Sequence, residues 1–570
     1  MLILPFCYNL TMKQQIQVVF EKALQNLDIA GSSFRLEYPE NPEHGDFSCN
    51  VAMVNAKKLG MAPKVLAEKV VAEIGKGNSD FIASATVAGP GFINITIKST
   101  VFTENIISVA QGDGEYGWNK NDADKKVMVE YTDPNPFKVL HIGHLMSNAI
   151  GESISRLVQS AGAEVKRANW QGDVGPHVAK AIWGALHLNV PDKHGAEFWG
   201  KAYTHGALAY EDDAAAKKEV DEINKKVYSR TDDQINKLYD QGRKESLEAF
   251  EVMYAKLGTK FDNYFFEGTE GRNGEPIVRE YLKKGVFQES EGAIVFKGED
   301  HGLHTRVFMT SQGLPTYETK ELGLNAEKFK LYPDLAESII ITANEQSDYF
   351  RVLLKVMELV MPNVAAKTKH MSHGMMRFAS GKMSSRKGNV ISAEALIDDI
   401  RSLVTEKIAD REFSATQKDE IADAVAIGAI KYTILRQAVG SDVIFDSASS
   451  ISFEGDSGPY LQYAAVRAGS ILEKGKKEGK IVAPEEVTML ERLISRFPDI
   501  VERARAEYAP QHIASYLMAL AGEFNAYYAN HQIVDDADPL SPYRVALTKA
   551  FRTVMINGLW ILGIKVPERM

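Results

Sequence analysis

The chain has 570 residues, too many for one hydrophobic core, so several domains are expected. Its composition, 45% apolar and 25% charged, is an ordinary globular mixture, and no apolar run reaches the roughly 18 residues that a membrane helix needs. A net charge of −10 excludes a uniformly basic nucleic-acid-binding body, so any RNA partner must meet local basic patches.

Residues 1–7 are apolar but short. They lack a basic leader and a small-residue cleavage site, so no secretory signal is expected, and Met12 is a candidate alternative start. The two cysteines, Cys7 and Cys49, have no metal-binding spacing, so neither zinc nor another protein-held metal is expected. They read as free thiols in a reducing cytoplasm.

Up to about residue 102 the pattern predicts a small α+β unit. Helices are expected over 13–26 and 63–74, with a turn-rich stretch, 38–46, between them. Residues 85–97 read as two short strands broken by Gly89-Pro90-Gly91. A polar linker, 111–126, follows.

Beyond it the pattern changes to strand (127–131), Pro-punctuated loop, helix (144–159) and strand (164–169), the opening of a doubly wound parallel sheet. The charged stretch 201–256 interrupts it and reads as an insertion of solvated helices. Sheet-like segments resume at 293–296 and 338–342. After about residue 392 strand signals fade into helical periodicity. The expected division is an N-terminal α+β domain, 1–112, and a Rossmann-like catalytic domain, 113–395, with a helical insertion at about 195–290. An all-helical domain, 396–570, completes it.

Two clusters carry chemistry. His141-Ile142-Gly143-His144 stands where the first loop becomes a helix. A helix N-terminus offers free N–H groups and the positive end of a dipole, both suited to phosphate. Two imidazoles there can donate hydrogen bonds to a triphosphate, and Gly143 leaves room for a flat base. With 13 His and 43 Gly, the pattern arises by chance about 0.02 times in such a chain, so two purely structural histidines are the less economical reading. The second cluster, Gly381-Lys382-Met383-Ser384-Ser385-Arg386-Lys387-Gly388-Asn389, is basic and rich in hydroxyls. It can neutralise charge on a leaving pyrophosphate, though an exposed basic turn explains it equally well.

Taken together, the two clusters, some 240 residues apart, resemble the paired ATP-binding motifs of class I aminoacyl-tRNA synthetases. Glu130-Tyr131-Thr132-Asp133-Pro134-Asn135-Pro136, Tyr317-Glu318-Thr319-Lys320-Glu321 and Ala343-Asn344-Glu345-Gln346 are similar to segments of the arginyl-tRNA synthetases. The resemblance spans the chain, and its motifs fall in the family's order.

It implies arginine–tRNA ligase activity, with L-arginine, ATP accompanied by Mg²⁺, and tRNA(Arg) as partners. It also implies transfer to the terminal 2′-hydroxyl and arginine activation only with tRNA bound. ATP would fall to His141, Gly143, His144, Lys382, Met383, Ser384, Ser385, Arg386 and Lys387. Arginine would fall to Glu130, Asn135, Tyr317, Glu321 and Gln346, and tRNA to Phe92, Asn94, Phe524, Tyr528 and Met570. For Phe92, Phe524 and Tyr528 a place in the core is an equal alternative.

A cytoplasmic monomer is expected. A planar, permanently charged guanidinium calls for paired carboxylates, which agrees with Glu130 and Glu321. The chain departs from the family at Glu321, where Asp is usual, and at Ser385, where a second Lys is usual; the first changes the reach of a carboxylate. A class I synthetase for another amino acid, lysine above all, and a paralogue that only binds RNA are the competing readings.

Overall fold

The computed structural model describes residues 11–29, 31, 33–77, 80–379, 391–475 and 480–570. They form two compact units. One comprises 1–118, 463–503 and 515–558; the other comprises 119–462, 504–514 and 559–570.

In the first unit a four-stranded antiparallel sheet is built from β1 (Leu36–Glu37), β2 (Phe47–Cys49), β3 (Ile82–Ala88) and β4 (Phe92–Ile97), in the order β1-β2-β4-β3. Helices Met12–Asn26 and Pro63–Gly75 bury Ile16, Phe20, Leu66 and Val70 against Phe47, Ile93 and Ile95 of this sheet. The N-terminal domain shares its unit with helical residues from the C-terminal part. The Arg492 guanidinium donates to Asp46 at 2.7 Å, and the Thr11 hydroxyl donates to Asp499 at 2.6 Å.

The second unit is organised by β5 (Lys126–Glu130), β6 (Glu164–Gln171) and β7 (Asn263–Phe266), with β8 (Gln288–Ser290), β9 (Ala293–Phe296) and β10 (Arg306–Met309) next in the chain, then β11 (Leu335–Ala343) and β12 (Thr368–His373). Five of these make a wholly parallel sheet in the order β12-β11-β5-β6-β7. The order reverses between β5 and β11, so the crevice beyond their carboxyl ends is the place where a doubly wound sheet receives ligands. Residues 293–296, expected to rejoin this sheet, instead lie in a separate antiparallel sheet, β10-β9-β8. Its turns are too short for the crossover that a parallel neighbour needs.

The insertion also differs from expectation. Helices Gly195–Asp212, Ala214–Ser229 and Asp233–Leu257 are not solvated all round. They bury Trp199, Val220, Ile223 and Ile235 in one cluster with Phe137, Val178 and Ile182 of the sheet-bearing part. Many of their charged residues line the outer faces, which is what the composition registered.

Two helices near the sheet cross at glycines. A Cβ at Gly274 of the Glu267–Lys283 helix would lie 1.9 Å from the Thr319 carbonyl oxygen, and one at Gly323 of the Tyr317–Leu331 helix would lie 2.1 Å from that of Glu270. Gly323→Ala must therefore push the helices apart. Denaturant unfolding should show a loss of about 1–3 kcal/mol, the range for overpacking; an unchanged midpoint would mean that the crossing relaxes freely.

Candidate active site

The loop that leaves β5 at Glu130 is strained and held in place. Thr132, Asp133 and Phe137 adopt φ of 78°, 47° and 70°, a region that side chains with a Cβ rarely visit. Neighbours fix each of them. Ser147 Oγ accepts from Thr132 N at 2.9 Å, Asp133 Oδ1 accepts from Trp170 N at 2.8 Å, and Ser246 Oγ of the insertion accepts from Phe137 N at 2.9 Å. Phe137 also meets Trp199 edge-on at 5.2 Å. The insertion thus braces the loop that carries Asn135.

The Ile142–Ser160 helix follows, with His141 as its N-cap. His141 Nδ1 accepts from Gly143 N and His144 Nδ1 accepts from His141 N, each at 3.1 Å. The rings stack with centroids 3.7 Å apart. Each Nδ1 is an acceptor, so the ring proton sits on Nε2 and both Nε2–H groups are donors. Burial holds both rings below the ordinary histidine value. Lys138 adds to the effect at His141; at His144, which is pushed down further, His141 and Lys138 both add to it.

Gly143 lies against the His141 ring. A Cβ there would lie 2.9 Å from His141 Cε1, so the glycine makes room for the stacked ring. Ser392 pairs with His141, and Ile142 N donates to Ile391 O at 3.2 Å. The chain that follows the second cluster is therefore tied to the first. Lys382, Met383, Ser384, Ser385, Arg386 and Lys387 themselves lie outside the described residues.

Across the crevice is a dense set of buried charges. Glu130 forms an ion pair of 2.7 Å with Lys328, and Glu267 forms one of 2.7 Å with Lys320. Glu321 is buried on the same helix as Lys328. Burial, with Glu130 beside it and Lys328 opposing, pushes the Glu321 carboxyl up to about 8. Burial and Glu130 likewise raise Asp133 well above the usual carboxylate range.

Asn135 and Glu267 converge on Gly172, where a Cβ would lie 2.2 Å from Asn135 Oδ1 and 3.0 Å from Glu267 Oε1. Tyr317 opens its helix with its ring 5.0 Å from the Lys320 ammonium, and is 56% exposed. Gln346 is exposed in the short turn after β11, one helical turn before Tyr349. The Tyr349 hydroxyl is buried with no hydrogen-bond partner among the described residues.

The structure thus brings Glu130, Asn135 and Glu321 to one crevice. It adds Asp133, Glu267, Lys320, Lys328 and Tyr349, which the sequence reading missed. One signal was available. Tyr317, Glu321, Asn325 and Lys328 recur at helical spacing, which places them on one face of the helix.

Three family models match. "tRNA synthetases class I (R), catalytic domain" covers residues 106–447, "Arginyl tRNA synthetase N terminal domain" covers 13–97, and "DALR anticodon binding domain" covers 461–570. The chain belongs to the arginyl-tRNA synthetases. It is 30% identical to an arginine–tRNA ligase of Fusobacterium nucleatum over 98% of this chain and 99% of that one. It is 29% identical to one of Halothermothrix orenii over the same shares. The arginyl-tRNA synthetase structure from Thermus thermophilus has the same fold, with a TM-score of 0.80 at 23% identity, covering 98% of this chain and all of that one. Family membership makes the chain a class I aminoacyl-tRNA ligase, for which ATP is a substrate.

The outer candidates for tRNA contact are in unequal positions. Phe92 is 39% exposed, and Asn94 is half-buried and accepts from Ser48 Oγ at 3.0 Å. Tyr528 is 43% exposed and Met570 half-buried. Phe524 does not fit the contact role. It is fully buried and stacked at 3.8 Å on Phe551, so its ring packs the core beneath Tyr528.

Both imidazoles are held neutral, so lowering the pH from about 8 to about 6 should leave adenylate formation unaffected by histidine charging, at saturating arginine and ATP. A rate that falls with a midpoint near the free-histidine value would instead mean that a charged ring is formed there.

Proposed function

We propose that the chain joins L-arginine to the 3′-terminal ribose of tRNA(Arg) in two steps at the carboxyl edge of the parallel sheet. The observation that carries this reading is the meeting, at one switch point, of two neutral imidazole donors with a buried slot richer in carboxyl groups than in cations. ATP lies along the first turn of the Ile142–Ser160 helix. The arginine side chain enters the slot of Glu130, Asn135, Tyr317, Glu321 and Gln346.

The arginine carboxylate attacks the α-phosphorus in line, and pyrophosphate leaves. Nε2–H of His141 and of His144 donates to oxygens on which charge gathers. The cations assigned to the departing pyrophosphate are Lys382, Arg386 and Lys387, with Met383, Ser384 and Ser385 shaping the segment. The terminal 2′-hydroxyl then takes the arginyl group from the adenylate. No covalent nucleophile is required, because positioning and charge stabilisation suffice.

Among the described residues no group of three or more His, Cys, Asp or Glu side chains is placed to hold a metal ion. In this reading Mg²⁺ accompanies ATP, and no step is assigned to it. Arginine specificity follows from unpaired acidity. A neutral substrate leaves a buried carboxyl without its partner, which supports discrimination of about 10⁴ or more.

In the proposed division of labour, residues 1–112 meet the tRNA body through Phe92 and Asn94. Residues 113–395, including the insertion at about 195–290, carry the chemistry. Residues 396–570 meet the anticodon through Tyr528 and Met570. The working form is a cytoplasmic monomer. Among the described residues no helix is long and apolar enough to cross a membrane.

Charging total tRNA with labelled amino acids tests the assignment: arginine should be incorporated, and lysine should not. Charging with lysine alone would move the chain's specificity elsewhere in class I. His144→Ala should slow adenylate formation by about 10²–10³-fold, roughly 2.7–4 kcal/mol, the loss typical of one such donor. An unaltered rate in ATP–pyrophosphate exchange with tRNA present would remove His144 from the mechanism.

A further inference from the structure

The buried charges of the slot are unequally paired. Glu130 and Lys328 touch at 2.7 Å with side-chain exposures of 1% and 0%. Glu267 has its own ammonium, Lys320, at 2.7 Å. Glu321 is also buried, yet no ammonium or guanidinium among the described residues lies within ion-pair distance of it. Its contacts are with Asn325, whose Nδ2 donates to the Glu321 carbonyl at 2.9 Å and lies 3.4 Å from the carboxyl.

The groups that face Glu321 come from every packed neighbour. Lys328 and Asn325 lie on its own helix, Glu130 at the end of β5, and Asp133 in the loop beyond. Glu267 comes from the Glu267–Lys283 helix, and Tyr349, with its unpartnered hydroxyl, from the Ser347–Val360 helix. Two carboxyls that share one cation in a dry site cannot both be ionised cheaply. Glu130 lies at ion-pair distance from the cation, and Glu321, which has none, is the carboxyl whose ionisation burial opposes.

We propose that Lys328 is a positioning residue of the arginine slot, which is engaged by Glu130 and so leaves Glu321 as the acid that gives up its proton when a guanidinium enters. In this exchange the O–H bond of Glu321 breaks and the proton goes to solvent. The guanidinium then donates N–H bonds to the carboxylate oxygens so formed. The slot's net charge changes by nothing, which is how a dry site admits a cation at low electrostatic penalty. The inference rests on the assignment of this slot to arginine.

Direction follows from linkage. The ligand-free slot binds more protons than the arginine complex between the lowered Glu321 midpoint of the complex and the ligand-free midpoint of about 8, so affinity rises with pH over that window and levels above it.

Calorimetric titration of the full-length chain with L-arginine at about pH 7, in buffers of different ionisation enthalpy, should show about one proton released per arginine. Glu321→Gln should release close to none. From about pH 6 to about pH 7 the wild-type dissociation constant should fall about ninefold, and by about fivefold more on going to about pH 8, while that of Glu321→Gln stays flat. Lys328→Met should carry the rise beyond about pH 8, because the opposing cation is gone, and Lys328→Arg should restore the wild-type profile.

An equal loss of affinity at every pH in Lys328→Met, with the midpoint unmoved, would reduce Lys328 to a packing residue and overturn its assigned role. Arginine binding by the wild type without proton release would overturn the exchange while sparing the slot. No arginine binding at all would overturn the slot assignment itself.

Discussion

Carboxyl groups cannot be taken out of water unless something answers their charge, and the second unit is arranged around that constraint. An isolated buried carboxylate is penalised by several kcal/mol, and a partner repays this only when geometry is close. Lys320 donates a hydrogen bond to Glu267, and Lys328 approaches Glu130 to 2.7 Å as an ion pair without hydrogen-bond alignment, both from the one helix Tyr317–Leu331. That helix reaches Glu267 because Gly274 and Gly323 let it cross the Glu267–Lys283 helix at backbone contact. Two residues without side chains therefore decide where four charged ones meet.

The same economy explains the strained loop after β5. Left-handed φ at non-glycine residues costs about 1–3 kcal/mol each and persists only where surroundings over-determine it. Here the anchors come from the Ile142–Ser160 helix, from β6 and from the insertion, through Ser147, Trp170 and Ser246. Three independent supports leave Asn135 and Asp133 little freedom, as a site that must place a planar cation requires. The insertion is thereby part of the site's scaffold as well as a cover. Tyr239 Oη donates to Asp173 at 2.8 Å, and Arg243 lies 3.3 Å from the same carboxylate, which in turn accepts from Gly268 N.

At the other side of the crevice the imidazoles are prepared for hydrogen bonding before any ligand arrives. Their Nδ1 atoms are consumed by the helix's own orphan N–H groups, so only Nε2–H remains to donate. A cap and a ligand-binding device are made from the same two side chains, and Gly143 is required because the rings stack over it. Neutral donors suit this place, since burial makes a charged ring unfavourable and Lys138 nearby adds to that.

The sequence by itself determined the parallel-sheet architecture, the mainly helical C-terminal region and the family, because periodicity and contiguous motifs are local properties of the chain. His141-Ile142-Gly143-His144 and the Tyr317 to Glu321 segment could be read without coordinates for that reason. Through resemblance the sequence also assigned Glu130, Asn135, Tyr317, Glu321 and Gln346 to arginine. It missed the strand Val443–Phe445, which pairs with Met376–Phe378 from a distant part of the chain. Residues 293–296 read as a strand but not as an antiparallel one, since pairing depends on the short turn before them and on the partner. The insertion read as solvated because its outward charges outnumber the few apolar residues that touch Phe137. Only the tertiary structure decided that Phe524 belongs to the core, that Gly143 serves a ring, and that Lys328, 198 positions after Glu130, is that carboxylate's partner. The physical reason is that a charge pair far apart in the chain leaves no local trace; folding alone brings its members within reach.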